Sequence, residues 1–246
     1  MKAFDYSKIA QFYDAMELDE SLNRDLLKGL DSLFRQEGVS RIWDASCGTG
    51  AQAIPLAEMG YELMATDISG SMLDLARKKD SSGLVDFSEA DMRSCELPDV
   101  DAVMSLYNAL GHLSRQDFES LLRRLSESLS QGGLFVGDFD HRLFVESHEE
   151  SIKKFFLSAE GQVDDECFRR LSRAERKSDG VYRMTDRWYL GTKIYHEASW
   201  DLQTWTVAEI GALAELYGFE IMRVCSRRLT ELEGSFDAFL VVLKKV

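Results

Sequence analysis

Proline occurs only twice in this chain, at Pro55 and Pro98, and no glycine- or serine-rich stretch divides its 246 residues. An inter-domain linker is therefore not written into it. No run approaches the roughly 18 apolar residues that cross a bilayer. The N-terminus, MKAFDYSKIA, lacks the apolar segment of a secretory signal. Both absences predict a cytoplasmic protein without a membrane partner. Cysteine is scarce and scattered: Cys47, Cys95, Cys167 and Cys225 form no CxxC pair and no metal-ligand spacing. That suits reduced thiols and predicts no metal. Positive charge is also short. Twenty-nine basic residues face 43 acidic ones, for a net −14, which speaks against an electrostatic grip on nucleic acid. Internal repeats are missing too.

What is present is a composition able to build a core, with 45% apolar and 11% aromatic residues. The charge is uneven. Residues 1–141 carry 13 basic and 25 acidic groups, whereas residues 142–190 carry ten of each. A neutral, arginine-rich middle inside an acidic chain reads as an insertion into one domain spanning 1–246.

The first 141 residues alternate between helix and strand. Residues 21–36 place Leu22, Leu26, Leu30, Leu33 and Phe34 on one helical stripe, ended by Gly38. Strands are expected at 39–44, 61–66, 84–88, 101–106 and 134–139. Helices are expected at 50–59, from Ser69 or Ser71 to residue 78, and at 114–129. This order argues a parallel sheet covered on both faces. The pattern then changes. Residues 167–174, 181–190 and 193–200 read as a meander on turns too short for parallel crossover. An antiparallel insertion over about 160–202 is therefore expected. Thr206 and Glu209 form a capping box for a helix ended by Gly218. Strands at 219–224 and 238–243 close the chain.

The most informative stretch is Ile42-Trp43-Asp44-Ala45-Ser46-Cys47-Gly48-Thr49-Gly50. A strand ends in an acid, and a glycine turn leads into a helix at the sheet edge where doubly wound folds bind ligands. Gly48 to Ala53 also fits a GxGxxA dinucleotide pattern, and Asp67 follows where a ribose-binding acid belongs. Asp44 weighs between cofactors. A pyrophosphate would meet a like charge there, whereas a sulfonium and an ammonium would be attracted.

With DASCGTG at 44–50, ATDIS at 65–69, ADMRS at 90–94 and SLYNALGHL at 105–113, the chain resembles class I S-adenosyl-L-methionine (SAM)-dependent methyltransferases over residues 5–141. The meander resembles the lid insertion of small-molecule N-methyltransferases of the glycine and amino-sugar type. Ser46-Cys47 departs from the usual motif, but both residues are small. The resemblance implies a Rossmann-like, doubly wound, seven-stranded α/β sheet of order 3-2-1-4-5-7-6, the last strand antiparallel, with a small antiparallel β insertion. It implies SAM as cofactor, S-adenosyl-L-homocysteine as product, a small-molecule acceptor, and a monomer or homodimer.

Carried over residue by residue, Asp44, Ala45, Gly48 and Gly50 would line the methionine part and Tyr13 would reach its end. Asp67 would accept both ribose hydroxyls, and Ile68 would lie against the adenine. Asp91 would accept from the adenine amino group beside the Met92 N–H, and Leu106 would sit under the sulfonium.

Other positions follow from the residues themselves. His112 and His141 follow strands at the ligand edge, and either of them or Glu197 can serve as a base for an amine acceptor. Each also has a bland reading as a structural group. Asn108 lies at the same edge and is a candidate to touch the acceptor. Arg183 and Arg187 share one strand face and are candidates for an acceptor carboxylate or phosphate, walled by Tyr189 and Tyr195. The competing expectation pairs both arginines with acids such as Glu197. Which face of the insertion turns inward stays open. An amine acceptor needs only to be neutral, so N-methylation is favoured. O-methylation of an acid or phenol, an RNA or protein substrate, and a non-catalytic SAM-binding or NAD-dependent protein are the alternatives.

Overall fold

Two faces of one central sheet account for most of the buried apolar side chains. The computed structural model describes residues 4–142, 145, 150–159, 162–230 and 238–246, and for 150–159 and 162–168 the backbone alone. After two short 3-10 turns the chain forms α1 (Tyr13–Glu17) and α2 (Glu20–Glu37). The alternation then gives β1 (Arg41–Asp44), α3 (Ala53–Glu58), β2 (Glu62–Asp67), α4 (Gly70–Lys79) and β3 (Val85–Glu89). It continues through β4 (Ala102–Ser105), α5 (Arg115–Ser128) and β5 (Leu134–Asp140). The closing elements are α6 (Val207–Leu216), β10 (Phe219–Cys225) and β11 (Ala238–Lys245).

The sheet runs β3-β2-β1-β4-β5-β11-β10. β11 is antiparallel to both neighbours, and the other pairs are parallel. Counting main-sheet strands alone, this is the expected 3-2-1-4-5-7-6. Strands buried on both faces read as apolar runs. In β11, Leu240 and Val242 pack with α2 and α3, whereas Phe239, Val241 and Leu243 pack with α5 and α6. Helix ends follow local chemistry. Asp19 caps α2 by accepting from the Leu22 N–H, and Gly38 ends it at φ 71°. Pro55 lies in the first turn of α3, where its missing N–H costs nothing.

Between β5 and α6 stands a second sheet of four antiparallel strands: β6 (Glu150–Ala159), β7 (Gln162–Ser178), β8 (Val181–Leu190) and β9 (Lys193–Gln203). The insertion thus begins about ten residues before the boundary expected at 160 and has one strand more. ESIKKFFLSA, with paired lysines and paired phenylalanines, lacks the alternation that announces a half-buried strand; pairing with β7 makes it one. The inward face is the one carrying Tyr182, Asp186 and Trp188. Trp188 packs with Phe4, Ile9 and Met16, so the N-terminal segment lies under the insertion.

Candidate active site

Where β1 ends at the centre of the sheet, the chain needs a sharp turn, and two left-handed glycines supply it. Gly48 has φ 53° and Gly50 φ 77°, conformations that cost a side chain roughly 1–2 kcal/mol. The Gly50 N–H donates to the Cys47 carbonyl at 2.8 Å, and the Cys47 N–H donates to the Thr66 carbonyl of β2 at 2.9 Å. Asp67, at the tip of β2, completes the turn: Oδ2 accepts from the Gly48 N–H at 2.8 Å and Oδ1 from the Ser69 N–H at 2.9 Å. Burial nevertheless pushes its pKa up despite these bonds.

This turn is the floor of a cleft with about 1080 Å³ of empty space, its mouth included. Ile68, Asp91 and Met92 stand at one end, and Tyr13, Leu106, Tyr107 and His112 line it elsewhere. Ala45, Gly48 and Asp67 also line it, so the structure gathers most of the residues expected to hold the cofactor. Ile68 is 48% exposed, a bare apolar surface inside a cleft. Asp91 has its carboxylate engaged by Arg93, whose Nε lies 2.9 Å from both oxygens. That pairing holds the Asp91 pKa below the usual carboxylate range.

Asp44 and Gly50 stand behind the lining. Asp44 is 2% exposed and accepts from the Ser46 N–H at 3.3 Å; burial lifts its pKa to about 7. A Cβ at Gly50 would come within 2.8 Å of Ile54 Cδ1, so that glycine serves the packing of the turn on α3. Cys47 is buried and its thiol is pushed up by burial, which leaves no nucleophile there.

The N-terminal segment roofs the cleft, a feature sequence reading found only at Tyr13. Phe4, Tyr6, Tyr13, Asp14 and Leu18 all line it. Asp14 latches this segment to the body: Oδ1 accepts from the Thr49 hydroxyl at 2.5 Å and Oδ2 from the Lys79 ammonium at 2.7 Å. From above, the Arg170 guanidinium of β7 pairs with Glu17 at the end of α1. Aromatic spacing could have hinted at Phe4 and Tyr6, but His112, Trp188 and Trp200, against which they pack, are more than 100 residues away.

At the end of β4 the backbone turns through Tyr107 and Asn108, both at φ 57°. Each such residue stores roughly 1–3 kcal/mol. The turn leads to a 3-10 helix, Ala109–His112, that carries His112 into the cleft wall. The Tyr6 hydroxyl lies 3.3 Å from His112 Nε2, and the imidazole stacks on Trp200 with centroids 6.1 Å apart. Desolvation lowers the His112 pKa to about 4, so the ring is neutral near pH 7. The Tyr107 hydroxyl is buried without a hydrogen-bond partner.

The other candidates lie outside the lining. His141 makes an isolated bridge to Trp205 and packs on Phe239. Asn108 turns its amide to Asp140, donating from Nδ2 to Oδ2 at 2.7 Å. Arg183 donates from Nε to Asp201 at 2.6 Å, and Arg187 pairs with Glu197; these side chains sit on the outward face of the insertion. The reason is register. Arg187 lies opposite Glu197 across β8 and β9, and the inward face belongs to Trp188. The expectation that Arg183, Arg187 and Glu197 face an acceptor is therefore corrected to cross-strand ion pairing. Tyr189 lies under the Arg169 guanidinium, and Tyr195 donates to the Lys8 carbonyl at 3.2 Å, tying the insertion to the N-terminal segment.

Comparison with known proteins bears on the fold. Residues 42–133 match the family model described as a methyltransferase domain. The glycine N-methyltransferase of Mus musculus is 33% identical over 128 residues, covering 45% of this chain and 43% of that protein. The chain thus matches less than half the length of that relative. Among solved structures, the CcbJ methyltransferase of Streptomyces caelestis superimposes with a TM-score of 0.80 at 19% identity, covering 100% of both chains. CalS10, an amino pentose methyltransferase from Micromonospora echinaspora with SAM bound, gives 0.71 at 23% identity, covering 100% of this chain and 99% of that one. The fold is that of SAM-dependent methyltransferases, and SAM in one of these structures agrees with the cofactor expected from the sequence. No helix among the described residues is long and apolar enough to cross a membrane.

Proposed function

We propose that this chain, with the methyltransferase domain at 42–133 as its core, transfers the methyl group of SAM to a small-molecule acceptor, an amine nitrogen being the class the site favours. The observation that carries the choice of amine is His112, neutral, largely desolvated and on the cleft wall, where it can accept a hydrogen bond from an amine N–H. SAM supplies, when bound, an electrophilic methyl on a sulfonium.

The residues fit such a cofactor. Bare Ile68 offers a surface for a purine ring, and Asp67 keeps lone pairs beyond the two backbone N–H groups it accepts. A Cβ at Gly48 would meet nothing closer than Met72 Cε at 3.9 Å, so the glycine leaves room against bare backbone. Asp67 would hold the ribose hydroxyls, with Ala45, Gly48 and Tyr13 along the methionine part and Leu106 beneath the sulfonium. Asp91 keeps its place beside Met92 at the adenine end, with Arg93 as its partner.

The chain's own contribution is binding, dryness and orientation of the acceptor. Phe4, Tyr6 and Tyr13 roof the cleft and exclude water. His112, uncharged because desolvation lowers its pKa to about 4, is too weak a base to deprotonate an ammonium; its nitrogen lone pair can accept a hydrogen bond from an acceptor amine that arrives neutral and so orient it. Holding the reactants in one geometry is worth roughly 7–11 kcal/mol, so little further acid–base chemistry is required. The glycine and amino pentose named for the two similar enzymes are both amines, which supports the same class.

The test is methyl transfer from labelled SAM, using the purified protein with total RNA, total protein and a metabolite extract. Label in an amine of the extract is the expected result. Label confined to RNA or protein, or on oxygen, would replace the reading.

A further inference from the structure

Sequence reading of residues 105–113 accounts for the cleft wall but not for what keeps it in shape. Asn108 donates its backbone N–H to Asp138 Oδ1 at 2.6 Å, and its side-chain amide makes two bonds to Asp140, one from Nδ2 and one accepted from the Asp140 N–H at 3.1 Å. A Cβ on Gly111 would come within 2.8 Å of the Asn108 amide, so the turn closes on itself without slack. Asp138 is 1% exposed, and two carboxylates at the tip of β5 would repel each other without a cation.

The cation is Arg227, from the loop after β10 at the far edge of the sheet. Its Nε donates to Asp138 Oδ2 at 2.5 Å, one terminal nitrogen lies 3.5 Å from Asp140 Oδ1, and the guanidinium stands 5.7 Å from the centre of the Tyr107 ring. One side chain therefore touches both acids that hold Asn108, and the ring of the other left-handed residue.

We propose that Arg227 is a positioning residue: through Asp138 and Asp140 it holds the Tyr107–Asn108 turn in its left-handed shape and so sets where His112 stands in the cleft. This rests on the reading of the cleft as a methyltransferase site. A planar fork with fixed donors suits the task better than an ammonium, because it engages two carboxylates at once.

The experiment compares Arg227→Met and Arg227→Lys with the unaltered protein by amide hydrogen exchange, SAM calorimetry, and label transfer to the metabolite extract. Arg227→Met is expected to speed exchange across 106–112 at least tenfold, leave the 45–52 turn unchanged, and keep the SAM dissociation constant within threefold. Transfer should fall at least tenfold. Arg227→Lys, which keeps the charge without the fork, should lie between, and it reads the same quantities if the methionine variant does not fold. Unchanged exchange at 106–112 in a folded variant overturns the proposal. So does exchange loosened uniformly across β5, β10 and β11, since that marks a merely structural arginine. A protein that binds no SAM at all would instead refute the methyltransferase reading, while the exchange data would still decide the role of Arg227.

Discussion

Replacing Asp67 by alanine should cost about 2–4 kcal/mol of SAM affinity. The carboxylate already accepts one N–H on each oxygen, at 2.8 and 2.9 Å. Of its roughly four lone-pair sites, two remain for the ribose hydroxyls. Hydrogen bonds to a charged group are worth about 1.5–3 kcal/mol each, and water entering the vacated space returns part of that sum. The dissociation constant should therefore rise roughly 30- to 1000-fold, read by titration calorimetry. Asp67→Asn keeps one acceptor oxygen but loses the charge, and should fall between. The pH dependence has a definite sign. Burial raises the Asp67 pKa, and the ionised form is the one that accepts from two hydroxyls, so affinity should weaken as pH falls through that raised value. A folded Asp67→Ala protein that binds SAM within threefold of normal would refute the assignment, and circular dichroism serves as the folding control.

Three other outcomes are expected. Asp44 has a native pKa of about 7 against an unfolded value near 3.9, so stability drains as pH rises between them; Asp44→Asn should gain on the parent by on the order of 2–4 kcal/mol between pH 5 and pH 8 in urea unfolding, and parallel pH slopes would contradict this. Asp14→Ala removes the bonds to Thr49 and Lys79, and should speed SAM release in stopped flow about three- to tenfold; an unaltered rate would show that the roof does not depend on this latch. Arg183→Met and Arg187→Met, which break solvent-screened pairs on the outer face, should leave the urea unfolding midpoint and acceptor kinetics nearly unchanged, whereas a raised KM in either would return the arginine to the acceptor site.

The cofactor floor was legible because its requirements are local. A strand, an acid, two glycines and a second acid at the next strand tip follow one another within 24 residues, from Asp44 to Asp67. The alternation announced a parallel sheet for the same reason, whereas the strand order came with the family resemblance. The roof, the reaction end and the insertion's inward face depend on contacts across the chain. Arg227 reaches Asp138 across 89 positions, and nothing in its neighbourhood marks it. Arg93, two residues from Asp91, was visible in principle, since a short-range opposite charge is a signal in itself. β8 shows the remaining difficulty. Alternation separates its two faces, but only the packing of Trp188 on Phe4, Ile9 and Met16 decides which one turns inward.

That packing also limits how the protein can be recombined. A chimera made by exchanging the four-stranded insertion with that of a relative would seem to leave the glycine turn and its cleft untouched. It would not, because Trp188, Arg170 and Tyr195 all rest on residues 4–17, which also roof the cleft. A transplant confined to 150–203 would leave the incoming strands facing an apolar strip shaped for other side chains, and Glu17 facing a site where no arginine is guaranteed. The portable unit is discontinuous, the N-terminal segment together with the insertion. Laboratory crossovers that move the two together should yield folded hybrids far more often than those that move the insertion alone.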